Sequence, residues 1–320
     1  AQSLAGIFQL LLGLMKGGLD RYNVCIFSYG QTGSGKTHTM QGSSSGASRG
    51  LIPRSVEKIL ATASAMKADG WSFTITASFV EIYNETLNDL FYNSPQGDNK
   101  ENGSSKVKIR NLQSAGIKID GVAREPLENF DQLEEMMARA HKNRSVAATA
   151  MNAESSRSHC CFILDIEGVN RRRRAKINGS LNLVDLAGSE RLARSQVEGT
   201  RLKETQHINK SLSALVDVFD AIAKKRPHVP FRNSKLTYLL QNCLSGHGKT
   251  MMIVNVSPTV ESSQETLCSL RFAKSVNQTE LGRAKKQVRT LQAADPLKKK
   301  RPSDEALRDR KQNARKRVKS

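Results

Sequence analysis

The segment Gly30-Gln31-Thr32-Gly33-Ser34-Gly35-Lys36-Thr37 fits the pattern G-x-x-x-x-G-K-[ST], and it limits the possible folds more than any other stretch of the chain. Such a loop works only between a strand that enters it and a helix that leaves it. Both are legible: Val24 to Tyr29 is a short apolar run of strand character, and Lys36 to Met40 starts a helix. The glycines let backbone N–H groups wrap a polyphosphate, and the helix start adds positive potential there. Lys36 is placed to reach the terminal phosphates and the Thr37 hydroxyl to ligate Mg²⁺. A second G-K-T, at Gly248-Lys249-Thr250, reads as a turn: Cys243 stands where the first glycine belongs, and a strand follows instead of a helix.

A phosphate-binding loop needs an acid to hold the hydrated metal and a group to sense the γ-phosphate. Asp185 ends the apolar run Leu181 to Val184, the position of such an acid. Gly188, three residues on, offers a bare N–H to the γ-phosphate. In Asn152-Ala153-Glu154-Ser155-Ser156-Arg157-Ser158-His159, hydroxyls crowd around one arginine just ahead of a strand, which suits a loop closing over phosphate. Arg157 and Glu190 are then placed to pair when the two loops close.

The rest of the chain reads as alternating strands and helices, the mark of a layered α/β sheet. Leu4, Phe8, Leu11, Leu12 and Met15 recur at helical spacing. Trp71 to Ile82, His159 to Ile166 and Ile177 to Leu186 read as strands, the last two flanking an exposed tip of four arginines, Arg171 to Arg174. Asn93 to Ser105 is a polar loop. Ile208, Leu212, Leu215, Phe219 and Ile222 fall on one stripe of an amphipathic helix. Asn129 with Gln132, and Ser262 with Glu265, are spaced as capping boxes.

The net charge of +20 points to an acidic partner. Residues 283–320 carry 15 Lys/Arg against four Asp/Glu, net +11, which leaves +9 of the total in the body. That end reads as a solvated tail or an isolated helix. Its clusters Lys298 to Arg301 and Arg315 to Arg317 suit a nuclear-import signal, an electrostatic tether, or a plain charged end. The five cysteines have no C-x-x-C pair and no metal spacing, so they read as reduced, mostly buried thiols of a cytosolic or nuclear protein. The longest apolar stretch, Ile7 to Met15, is too short to span a bilayer.

Taken together, Tyr29 to Met40 (YGQTGSGKTHTM), Asn152 to His159 (NAESSRSH), Asp185 to Glu190 (DLAGSE), Ile208 to Leu215 (INKSLSAL) and Val229 to Leu240 (VPFRNSKLTYLL) resemble the kinesin superfamily, in the family's order. The resemblance runs from about Phe8 to Ala273. It implies a P-loop motor core, a central mixed β-sheet flanked by helices, over residues 1–282, with a basic tail over 283–320. It implies ATP and Mg²⁺ as cofactors, with Ser155 and Ser156 at the metal shell and γ-phosphate, Asp185 holding the metal through water, and Arg157 with Glu190 as the gate that positions the attacking water. His38 would lie near the adenine, against a competing reading as a solvated surface histidine. Microtubule contact would come from Arg191, Arg194, Lys203, Lys210, Lys224, Lys225, Arg226, Arg232 and Lys235.

Two departures stand out. The family's opening strands have no counterpart here, which implies an N-terminally incomplete motor with unpaired strand edges. Arg21-Tyr22-Asn23 also replaces the family's G-Y-N. The stretch Leu270 to Lys286 resembles the end of C-terminal-motor kinesins, which implies movement toward the microtubule minus end. It also implies dimerisation, with like or unlike chains, through a coiled coil ahead of this chain, and a place on cytoplasmic microtubules or the spindle. Neither a membrane nor a nucleic-acid partner is expected. Two other readings remain: a motor relic that binds microtubules without turnover, and a nucleic-acid-dependent P-loop ATPase. The second suffers from the lack of helicase motifs and of aromatic platforms for stacking bases.

Overall fold

The computed structural model describes residues 23–43, 46–92, 107–112, 116–151, 155–190, 200–246, 248–282 and 288–290. The helix expected around Leu4 to Met15, the polar loop at 93–105, Asn152 to Glu154, Arg191, Arg194 and most of the basic tail lie outside the described residues.

Strand β1 (Asn23–Tyr29) runs into the glycine-rich loop and a short helix α1 (Lys36–Met40), followed by α2 (Leu51–Ala65). Then come β2 (Trp71–Tyr83), β3 (Thr86–Asp89), a small hairpin of β4 (Lys108–Leu112) and β5 (Gly116–Asp120), β6 (Glu125–Pro126) and α3 (Phe130–Met151). The long hairpin β7 (His159–Asn170) and β8 (Ala175–Asp185) precedes α4 (Thr200–Ala223), α5 (Lys235–Leu244), β9 (Gly248–Val254), α6 (Ser263–Asn277) and β10 (Val288–Thr290).

Among the described residues these make one eight-stranded mixed sheet whose main path is β3-β2-β7-β8-β1-β9. Strands β8, β1 and β9 are parallel, whereas β2, β7 and β8 pair antiparallel. Period-2 alternation splits the core across the two faces. Val24 and Ile26 of β1 pack with Leu51, Ile52, Val56 and Ile59 of α2 and Leu133 and Met136 of α3. Cys25 and Phe27 face the other way, onto Leu212, Leu215, Val218 and Phe219 of α4 and Leu236 and Leu240 of α5. Phe27 and Phe219 are nearly inaccessible, and each buried side chain of this size contributes about 1.5–3 kcal/mol. The stripe expected on α4 is its buried face.

The parallel strands fix where chemistry can occur. The carboxyl ends of β8, β1 and β9 lie side by side, and the antiparallel β7 begins at that same end; this is the crevice that open α/β sheets use for ligands. The outer edge of β9 has no partner strand among the described residues.

Several readings change. Ser262 does not cap α6: a 3-10 turn over Val260–Ser262 leads straight into the helix, and its hydroxyl accepts from Thr259 Oγ1 and Gln31 Nε2 instead. Asn129 does accept from the Gln132 N–H, but the Gln132 side chain reaches back to the N–H of Glu128, one residue earlier than in a capping box. Within the basic tail, Val288–Thr290 is neither free nor helical. It pairs antiparallel with Ala175–Ile177 of β8, on the side that β1 leaves open below Ser180. All five cysteines are free and four are buried. Burial pushes the Cys160 thiol up to about 12. No helix among the described residues is long and apolar enough to cross a membrane.

Candidate nucleotide and switch site

The loop after β1 turns on glycine where nothing else fits. Gly30 has φ +151°, and a Cβ there would stand 2.1 Å from the Asn255 carbonyl oxygen, at the end of β9. The Gln31 carbonyl gathers the loop around itself, accepting from Ser34 Oγ (2.8 Å) and from Lys36 Nζ (2.9 Å). Gly33 and Gly35 both take positive φ, while Thr32 and Gly33 form the exposed rim. Lys36 is buried, and desolvation lowers its pKa against the opposing pull of Asp185 and Glu190. His38 is exposed on α1.

Asp185 is 4% exposed at the tip of β8. It accepts from Thr37 Oγ1 at 2.6 Å and from Ser28 Oγ at 3.3 Å. The two expected metal-holding groups, hydroxyl and carboxylate, are thus in direct contact. The Gly248-Lys249-Thr250 stretch lies inside β9, as a strand and not as a phosphate loop.

The switch residues converge on this loop. Both Glu190 oxygens are engaged by Thr32, one by its N–H at 2.8 Å and the other by its hydroxyl at 2.5 Å. Glu190 thus rests on the phosphate loop, and its pairing with Arg157 is the arrangement expected once the loops close. Gly188 gives its N–H to the Ser156 carbonyl at 2.8 Å and not to an open site, which ties the two switch segments together. A Cβ at Gly188 would fall 2.3 Å from Glu190 Oε2 and 2.5 Å from Thr32 Oγ1. Ser155, Ser156 and Arg157 form a 3-10 turn ahead of β7.

Four residues have supporting roles that the sequence alone did not assign. Asn255 donates its N–H to the Tyr29 carbonyl and its amide to Thr39 Oγ1, bracing the loop from β9. Ser262 anchors Gln31 at 2.8 Å. Arg144 of α3 pairs with Glu81 of β2 and donates to Ser158 Oγ, fixing the end of the first switch segment. His159 joins the Ala187 amide to Ser211 of α4. Only the short loop words were legible beforehand; these partners come from remote parts of the chain.

The donor set fits a magnesium–nucleotide. Among the described residues, a buried ammonium has only a carbonyl partner, a hydroxyl–carboxylate pair stands at the strand ends, and Gln31 Oε1, Ser189 Oγ and Asn255 Oδ1 are buried without a hydrogen-bond partner. The ammonium suits phosphate oxygens, and the acceptors and the hydroxyl–carboxylate pair suit a metal and its bound water.

The expected track contacts cluster at one corner. Lys210 lies on the exposed face of α4, and Lys224, Lys225 and Arg226 follow its end. Arg232, in a 3-10 turn, and Lys235, at the start of α5, are also exposed, with the Arg232 guanidinium 5.7 Å from the Tyr238 ring centre. The side chain of Lys203 lies outside the described residues.

The kinesin motor domain profile matches residues 7–279. The chain is 49% identical over 288 residues to the kinesin-like protein KIN-14N of Oryza sativa, covering 89% of this chain and 38% of that protein. It is 47% identical over 287 residues to carboxy-terminal kinesin 2 of Xenopus laevis, covering 88% and 44%. Among solved structures, the motor domain of the Saccharomyces cerevisiae kinesin-like protein Kar3 superimposes with a TM-score of 0.74 at 44% identity, covering 86% of this chain and 80% of that one. The Kar3Vik1 C-terminal motor and motor homology domain, fused to a synthetic heterodimeric coiled coil, gives 0.76 at 45% identity, covering 87% and 69%. The chain spans about two-fifths of the length of the curated relatives it matches. With the sheet, the loop and both switch segments in place, the chain belongs to the kinesin motor-domain family.

Proposed function

We propose that this chain is the ATP-hydrolysing part of a microtubule motor that moves toward the minus end. The observation that carries the reading is the Thr37–Asp185 contact at the carboxyl end of the parallel strands, with Lys36 buried beside it and the switch segments joined through Gly188 and Ser156. Bound Mg·ATP would supply the phosphoanhydride and a metal that neutralises its charge. Thr37 and Ser156 would hold the metal directly, and Asp185 through water. The loop amides from Gly30 to Gly35 and Lys36 would orient the phosphates, with Ser155 closing over them and His38 at the base side. Arg157 and Glu190 would leave their present partners and pair, positioning a water and excluding bulk solvent. Catalysis is then positioning plus charge stabilisation, with no covalent intermediate.

The basic corner formed by α4, the turn after it and α5 would meet the acidic track, with Arg191 and Arg194 extending it. The relatives named as C-terminal kinesins, and the coiled-coil fusion of Kar3Vik1, support minus-end polarity and pairing with a like or unlike chain. Residence on cytoplasmic microtubules or the spindle follows from that reading, with nuclear entry through the basic tail as a further element. The test is the ATPase rate of the full-length protein alone, with microtubules and with DNA, together with gliding of polarity-marked microtubules. Stimulation by microtubules alone, with minus-end motion, is expected; stimulation by DNA or no turnover overturns the reading.

A further inference from the structure

The hairpin tip between β7 and β8 carries Arg171, Arg172, Arg173 and Arg174 in succession, all exposed. Like charges this close repel, and among the described residues none of the four has a carboxylate within ion-pair distance. The neighbouring Lys176 differs, pairing with Glu167 at 2.7 Å. The tip is nonetheless held firmly. Arg174 donates its N–H to the Arg171 carbonyl at 3.2 Å, closing the turn. Asn170, fully buried, accepts from the Arg173 N–H through Oδ1 and donates through Nδ2 to the carbonyl of Asp69 in the adjacent turn, both at 2.9 Å. The stem of Arg172 lies along Gly70.

The backbone makes this composition costly. Arg174 sits at φ +47°, a left-handed conformation that glycine and asparagine accept and arginine resists. A turn shaped for stability alone would place Gly or Asn there and spread the charge. The tip is also remote from the chemistry: the strand rise puts Ala175 roughly 33 Å from Asp185 along β8. Beside it the register sets Arg289 of β10 opposite Lys176, adding to the basic character of this end of the sheet.

We propose that the arginine tip is a docking point for a carboxylate-rich peptide segment of a partner protein. Guanidinium groups pair bidentately with carboxylates, and a pre-ordered turn presenting four of them loses little freedom on binding. Single-stranded nucleic acid fits less well, because it needs exposed rings to stack its bases. The aromatic residue at this end, Trp71, is 6% exposed and stacked on Phe73.

The experiment uses the full-length protein and a fluorescent oligo-glutamate peptide, read by anisotropy near physiological salt. Changing Arg171, Arg172 and Arg173 to Gln and Arg174 to Asn should weaken binding at least about tenfold, the loss of one or two charge-assisted hydrogen bonds. A charge-matched control, with Gln at the exposed Lys58, Lys108, Lys142 and Arg271, should leave affinity within about twofold. Basal ATPase should be unchanged in both, the melting temperature should not fall in either and should rise in the tip variant as the strain at Arg174 is relieved, and two double variants (171 with 172, 173 with 174) serve if the quadruple variant does not fold. Equal loss in the control, no loss at the tip, or tighter binding of a single-stranded DNA oligomer through the same arginines overturns the proposal.

Discussion

His159 and Ser211 are joined across the core, with His159 Nε2 2.7 Å from Ser211 Oγ. The Ala187 N–H donates to Nδ1 at 3.0 Å, so the imidazole proton sits on Nε2 and is given to Ser211, whose own hydroxyl donates to the Ile208 carbonyl. One neutral ring thus connects the segment after Asp185 to the helix that bears Lys210 and leads into Lys224. Burial, reinforced by Arg144 and Lys36, holds the His159 pKa down at about 3.

The first prediction concerns that ring. A histidine whose folded pKa lies below its unfolded value stabilises the fold above the unfolded pKa of about 6.5. That stability is lost as pH falls toward 3, because the unfolded chain binds the proton first. Going from pH 7 to pH 5 should cost about 2 kcal/mol through this group alone. Urea unfolding at both pH values should show this slope, and His159→Gln should flatten it. Ser211→Ala should keep basal turnover while reducing the fold-stimulation by microtubules; unchanged stimulation would show that the ring is only packing.

The cradle gives the second. Lys36→Ala removes the buried ammonium and Thr37→Asn the hydroxyl in contact with Asp185. Each should lower turnover by at least about a hundredfold, the scale of losing an electrostatic transition-state contact. Microtubule-stimulated phosphate release from the full-length protein is the measurement, and retained turnover in either variant rules out the assignment.

The third tests the switch pairing. Gly188→Ala would drive a methyl group into Glu190 and Thr32 Oγ1, so turnover should be lost even though only one carbon is added. Arg157→Ala and Glu190→Ala should each stop hydrolysis while nucleotide binding, followed with a fluorescent ATP analogue, is largely kept. If the two act as a pair, the double variant should be no slower than either single one. Multiplicative losses would show that they act separately.

What the sequence disclosed follows from how local each feature is. The loop from Gly30 to Thr37 and the acid at Asp185 were legible because strand-to-loop transitions are written in neighbouring residues. The partners that hold them were not. Gln31 reaches Ser262 across 231 positions and Glu190 reaches Thr32 across 158, so only the folded sheet brings them together. Ser262 shows how a local rule fails: S-x-x-E spacing reads as a cap, but a tertiary donor claims the hydroxyl. The pairing of Val288–Thr290 was hidden by its basic surroundings, since a three-residue strand leaves no periodicity to detect.

The last prediction is about the basic corner. Asp220 holds Lys224 at 2.7 Å and Arg226 at 2.9 Å, so one carboxylate restrains two of the cations expected to face the track. The hydrogen bond from Lys224, then the charges of Lys224 and Arg226, lower the Asp220 pKa, and it remains ionised through the physiological range. Asp220→Asn should therefore free both cations and tighten microtubule binding, by about two- to fivefold at low salt. Exposed charges are screened over about 8 Å at physiological ionic strength, so the gain should shrink as salt is added. Cosedimentation with microtubules across a salt series measures it. A gain that is independent of salt would mean that α4 had been reshaped, and weaker binding would mean that the pair orders the corner for contact instead of withholding its charge.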